Sequence, residues 1–145
     1  MELIGKSRGG NTTKIHVAVN NNGIPLKILL SKGSNHDIKF AKPLIENLDV
    51  KTVIADRGYD SNWFRSSIIN PCIWVRRNRK IPIIFDKELY KKRNIVERFF
   101  LKIKSFRKIA TRFEQKAVNF LSMVKLVAFL IVARDWMSGF SRLNY

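Results

Sequence analysis

Hydrophobic and polar positions change period along the chain, and each change marks an element. Between Thr12 and Asn20, Ile15, Val17 and Val19 alternate with His16 and Ala18, the two-residue period of a strand. Asn20-Asn21-Asn22-Gly23 follows, a run that accepts positive φ, and Ile24 to Leu30 returns as a second strand, so residues 12–30 read as a β-hairpin. Ser34 or Asn35 is placed to cap a helix that starts near Asp37, whose charge suits a helix N-terminus, and ends near Asn47. Lys51 to Ala55 predicts a short buried strand running straight into Asp56. After Arg57-Gly58 a helix is expected from about Asp60 to Ile69, stopped by Asn70-Pro71. Cys72 to Val75 reads as another short apolar strand, and Arg76 to Lys80 as a basic loop. A long helix from about Asp86 to Phe106 and a last one from about Gln115 to Trp136 complete the pattern, while Met1 to Asn11 reads as an exposed glycine-rich basic loop. The order ββαβαβαα predicts an α/β fold, a mixed sheet flanked by helices. With 145 residues, no repeat and no linker, a single domain over 1–145 is expected.

Composition narrows the class. The chain is 46% hydrophobic and 11% aromatic, which excludes a disordered polypeptide. From Ala117 to Ala133 the sequence is strongly apolar but interrupted by Asn119, Ser122 and Lys125. Its unbroken run, Leu126 to Ala133, falls well short of the roughly 20 residues that span a bilayer, so a buried helix and no membrane partner are expected. The formal net charge is +17, spread over every segment. A compact domain with that excess suits a polyanionic partner, and the absence of a single basic amphipathic face favours nucleic acid over a membrane surface. A lone Cys72 excludes a disulfide framework and no secretory signal is evident, so the expected compartment is the cytoplasm.

Candidate chemistry concentrates on the long helix and on Asp56. At 100° per residue, Tyr90, Arg93 and Lys104 fall within about 40° of Glu97, on one stripe roughly 21 Å long, while Val96, Phe99, Ile103 and Phe106 share another face that should dock on the sheet. The plain alternative is a solvated face with Arg93 and Glu97 as an i,i+4 pair worth a few tenths of a kcal/mol. Asp56 stands at the C-terminal end of a strand, where open α/β sheets gather ligands and catalytic groups. Paired with Glu97 it would offer hard oxygen ligands to Mg²⁺, which can activate water or a 3′-hydroxyl for in-line attack on a phosphodiester; the alternative is an ordinary turn aspartate. Arg76, Arg77, Arg79 and Lys80 are candidate phosphate contacts. Gly5-Lys6-Ser7 is not a P-loop, because no helix follows it. His16 reads as structural and Cys72 as a small hydrophobe.

The spacing Tyr90-x2-Arg93-x3-Glu97-x6-Lys104 resembles the Y-R-E-K signature of bacterial insertion-sequence transposases of the DDE type. Residues Gly5 to His16, Gly33 to Asp37, Ala55 to Asp60 and Arg93 to Phe100 are similar to blocks of the insertion-sequence-five family, in the same order and over nearly the whole chain. The resemblance implies an RNase H-like fold, with Asp56 and Glu97 as the second and third acids of a triad holding two Mg²⁺ ions, for which Mn²⁺ substitutes. Tyr90, Arg93 and Lys104 would then be catalytic-site residues that position the DNA strand, with Lys104 and Arg107 joining the basic loop in DNA contact. The implied activity is DNA transposition, by phosphodiester cleavage and strand transfer at insertion-sequence ends and into target DNA, in the bacterial nucleoid.

In the family the first catalytic Asp lies on a strand upstream of the glycine-rich block, and Asp37 matches a different block. The expectation is therefore a C-terminal catalytic portion lacking the first, central strand: the product of a second reading frame joined by frameshifting, or a decayed copy. Such a chain would be inactive alone and would work with the upstream transposase segment, and as a homo-oligomer. The competing readings are a metal-dependent nuclease of the same fold and a non-catalytic DNA-binding remnant.

Overall fold

The computed structural model describes residues 5–7, 10–111 and 116–142. Its first part is an antiparallel sheet. Strand β1 (Gly5–Ser7) pairs with β2 (Gly10–Val19), and β2 pairs with β3 (Pro25–Lys32), in the order β1-β2-β3. Part of the expected basic loop is thus a strand; Met1 to Ile4, Arg8 and Gly9 lie outside the described residues. The hairpin turn forms where expected. Gly23 has φ +80°, and Asn20 Oδ1 accepts the backbone N–H groups of Asn22 and Ile24. A bulge between Ala18 and Val19 closes the ladder.

The helix expected from Asp37 to Asn47 is split. A 3-10 turn (Asp37–Phe40) leads into helix α1 (Ala41–Ile45), and the cap position is His36, with no side-chain cap from Ser34 or Asn35. Pro43 has no N–H to give to residue 39, so regular i→i−4 bonding cannot run through this stretch, whereas proline is tolerated in the first turn of α1. Strands β4 (Thr52–Ala55) and β5 (Asn70–Ile73) form a separate two-stranded parallel sheet, joined through a 3-10 turn (Arg57–Tyr59) and helix α2 (Asn62–Ser66). Ser61 caps α2 by accepting from Phe64 N–H, which starts that helix two residues later than expected. β4 is half-buried, not fully buried. The single mixed sheet expected from the strand order is therefore two sheets, within a mixed α/β fold.

The long helix is also divided, into α3 (Lys87–Lys91), α4 (Asn94–Lys104) and α5 (Arg107–Ala110). Asp86 caps α3 by accepting from Leu89 N–H. Between α3 and α4 the backbone uses i→i−3 bonds, Lys92 to Leu89, Arg93 to Tyr90 and Ile95 to Lys92. The division follows from packing. Tyr90 on α3 meets Trp74 and Phe85, at ring-centroid distances of 5.1 and 5.5 Å, whereas Phe99 and Ile103 on α4 are buried with Leu30 of the hairpin. Two cores draw one stretch of chain in two directions.

The last helix, α6 (Ala117–Arg142), runs beyond the expected end at Trp136; Gln115, its expected start, lies outside the described residues. Phe120, Val124, Val127, Ala128 and Ile131 pack with Phe99, Ile103 and Leu30 into the main core, flanked by Ile15, Val17, Val19 and Ile28. A second cluster, Ala41, Phe64, Ile68 and Ile73, surrounds the parallel pair. Helix α6 is not buried all round: Val118, Leu126, Phe129, Trp136 and Met137 are exposed on its other side. The segment Ala117–Ser138 is long and apolar enough to cross a membrane, yet one side of it is core. Phe106, expected to dock on the sheet, is exposed ahead of α5.

Candidate active site at the end of the parallel strand pair

Asp56 follows β4 directly and caps the 3-10 turn, its Oδ1 accepting Gly58 N–H at 2.9 Å. Gly58 leaves little room for a side chain here. A Cβ on it would stand 2.9 Å from Asp37 Oδ2 and 3.0 Å from Asp56 Oδ1, so the two carboxylates flank one glycine. Lys14 holds Asp37 from the hairpin, donating to its Oδ1 at 2.8 Å and to the Asn35 carbonyl at 2.8 Å. The antiparallel sheet thus reaches the turn that carries Asp56. The proximity of Asp37 is invisible in the sequence order, where it reads only as a helix entry.

Glu97 lies in the first turn of α4, where a negative charge suits the helix dipole, and Arg93 at the N-cap pairs with it. Arg93 also lies over the Tyr90 ring, 5.6 Å from its centroid. Burial raises the Tyr90 phenol above its usual range; Arg93 opposes this, and the negative charges of Asp56 and Glu97 add to it. Among the described residues Asp56 Oδ2 and Glu97 Oε2 accept no hydrogen bond, leaving one hard oxygen on each for a cation. No group of three His, Cys, Asp or Glu side chains gathers as a metal cluster among the described residues. Two carboxylates with DNA phosphate oxygens form a donor set that Mg²⁺ accepts, since it commonly combines one or two carboxylates with substrate phosphates.

Lys104 ends α4, seven residues and about 10 Å along the helix from Glu97, and it is exposed, as is Arg107. Lys104 is thus set two turns along the helix from Glu97. Within the basic loop Arg77 and Lys80 are exposed. Arg76 and Arg79 are engaged internally, Arg79 with Asp60 and Asn62, and Arg76 with the Arg57 carbonyl. Trp74 was not singled out by sequence, yet it is 45% exposed, its backbone N–H donates to the Ala55 carbonyl beside Asp56, and its ring meets Phe85 and Tyr90. Its place follows from the register Ala55↔Ile73, which sets the next residue of each strand side by side and is not readable from the sequence.

Behind the turn sits buried His16. It stacks on Phe40 at 4.3 Å, and its Nε2 hydrogen-bonds with Ser31 Oγ at 2.8 Å and its Nδ1 with Tyr59 Oη at 3.2 Å. Ser31 Oγ donates to the Lys32 carbonyl, so it accepts from Nε2–H, and Nδ1 then accepts from the Tyr59 hydroxyl. Burial lowers the His16 pKa, Lys14 lowers it further and Asp37 partly offsets both. Folded-state depression means the neutral ring contributes stability above the unfolded value of 6.5, lost as pH falls through the lower folded value. Stability should therefore fall on acidification from pH 7 toward 5, by up to about 1.4 kcal/mol per pH unit, and the melting temperature with it. Thermal denaturation across that range should show His16→Gln with a flatter dependence; an unchanged slope would contradict the neutral assignment.

Residues 4–131 match the transposase DDE domain family. Over 129 residues the chain is 36% identical to a Brucella ovis protein described as the candidate transposase for insertion sequence element IS6501, a match covering 85% of this chain and 99% of that protein. Over 135 residues it is 30% identical to a Burkholderia cepacia protein described as the candidate transposase for insertion sequence element IS402, covering 82% of this chain and 62% of that one. The chain thus spans less than two thirds of the second relative's length. No solved structure matches it. Family match, chain-long similarity and the spacing of Tyr90, Arg93, Glu97 and Lys104 agree, and the chain belongs to the DDE transposases of insertion sequences.

Proposed function

We propose that this chain takes part in the DNA-strand chemistry of insertion-sequence transposition, in the cytoplasm at the nucleoid, with Asp56 and Glu97 as ligands of Mg²⁺ or Mn²⁺ in an RNase H-like arrangement. The observation that supports the reading is the line of contacts between the two acids: Trp74, next to Asp56 at the end of the parallel pair, meets Tyr90, and Arg93 lies over Tyr90 and pairs with Glu97. A bound divalent cation supplies Lewis-acid activation of the attacking hydroxyl and neutralises charge on the phosphodiester. Asp56 is held for that task by Gly58 N–H, and Glu97 is oriented by Arg93. Arg93 and Tyr90 hold each other in turn, and Lys104, Arg107, Arg77 and Lys80 provide exposed cations along the path to the acids.

The polyanion reading is tested by binding to unrelated duplexes over a range of salt. Neutralising about five phosphates gives a slope of log K against log[salt] near −4.5. Replacing both Arg77 and Lys80 by Ala should flatten it by about 1.8. A slope near zero in the unmodified chain would overturn the DNA-binding reading. Strand-transfer products from element ends separate a transposase from a nuclease that cuts without joining.

A further inference from the structure

We propose that Asp60 is a positioning residue that sets the Arg76–Lys80 loop against the Asp56 turn, so that Arg77 and Lys80 stand ready for the phosphates of a DNA strand entering the site. This rests on the DNA-strand reading above. The Asp60 side chain has 0% exposure and accepts four hydrogen bonds. Oδ1 takes Arg65 Nε at 2.8 Å and an Arg79 terminal nitrogen at 2.9 Å; Oδ2 takes Arg79 Nε at 2.9 Å and Arg76 N–H at 2.8 Å. The fork from Arg79 is bidentate, the geometry that fixes a guanidinium in one orientation. Burial alone would raise the Asp60 carboxyl, but Arg79, the Arg76 N–H and Arg65 hold it well below the usual carboxylate range.

The network has two ends. Arg65 extends it to the last residue of β5, donating to the Ile73 carbonyl at 2.7 Å. Arg76 extends it to the catalytic turn, donating from Nε to the Arg57 carbonyl at 3.2 Å. Asp60 itself is the residue after that turn, so one carboxylate ties strand end, turn and loop together. Two arginines of a strongly cationic chain are thereby committed to an internal acid, while Arg77 and Lys80 between and beside them form no ion pair among the described residues. Fixing a loop before binding removes the ordering cost that flexible cations would meet on DNA.

The test is a double-mutant cycle on duplex binding by the full chain, read as the salt slope. Arg79→Gln breaks the fork but keeps the Arg65 and Arg76 N–H bonds; Asp60→Asn is the more severe variant, and circular dichroism checks that each folds. In the unmodified background, removing Arg77 and Lys80 should flatten the slope by about 1.8; in the Arg79→Gln background, by less than about half of that. Lys104→Ala should cost the same slope in both backgrounds, which a general loss of structure would not allow. Equal effects of the Arg77 and Lys80 replacements in both backgrounds would overturn the positioning role and leave the DNA reading standing. A flat salt dependence in the unmodified chain would overturn both.

Discussion

Replacing Asp56 by Asn or Glu97 by Gln is expected to lower metal-dependent strand cleavage by the active transposase about a thousandfold, with gel-shift affinity for the same duplex nearly unchanged. A thousandfold loss corresponds to about 4 kcal/mol of transition-state stabilisation, the scale of Lewis-acid help to a developing phosphodiester charge. Both substitutions keep shape. An asparagine at position 56 still offers an oxygen to Gly58 N–H, and a glutamine at 97 still offers one to Arg93, so turn and helix start should persist. Neither removes a cation from the DNA path, which is why binding should survive. Lys104→Ala should behave differently, weakening binding and rate together, because an exposed charge on the approach is lost. The check is cleavage of labelled element ends run beside gel shifts on identical duplexes.

Phe120→Ala should destabilise the fold by about 3–5 kcal/mol, whereas Phe129→Ala should cost less than about 0.5 kcal/mol. Both residues lie on α6, but Phe120 is 2% exposed within the cluster of Phe99, Ile103 and Val124, and Phe129 is 67% exposed. Truncating the first leaves a cavity between helix and sheet; truncating the second removes surface from water contact only. Urea denaturation of the two variants measures the difference. Similar losses for both would contradict the assignment of one α6 face to the core.

The hairpin was legible in the sequence because its determinants are local. Asn20 to Gly23 dictates the turn, and the alternation of Ile15, Val17 and Val19 against the core face sets the register. The strand ending at Asp56 and the spacing of Tyr90, Arg93, Glu97 and Lys104 were legible for the same reason. What periodicity missed was decided by distant partners. The 86–106 stretch carries one helical pattern, yet Trp74 and Phe85 draw Tyr90 toward the parallel strands while the hairpin draws Phe99 and Ile103 away. Asp60 lies at the expected start of a helix and Arg79 in the expected basic loop; their bidentate pair spans 19 positions and no local rule finds it. Asp37 and Asp56 both flank Gly58, a proximity set by the packing of the two 3-10 turns and not by any local pattern.

The central claim is that Asp56 and Glu97 together hold a divalent cation at the DNA strand. The direct measurement is Mn²⁺ binding by the full chain in the presence of duplex, followed as loss of the free-ion paramagnetic resonance signal. Mn²⁺ takes the same oxygen ligands as Mg²⁺ and reports binding without requiring turnover. The account predicts a site in the unmodified chain whose affinity drops about tenfold or more in Asp56→Asn and again in Glu97→Gln, since each loses one of its two carboxylate ligands. Mn²⁺ affinity unchanged in both variants would contradict it.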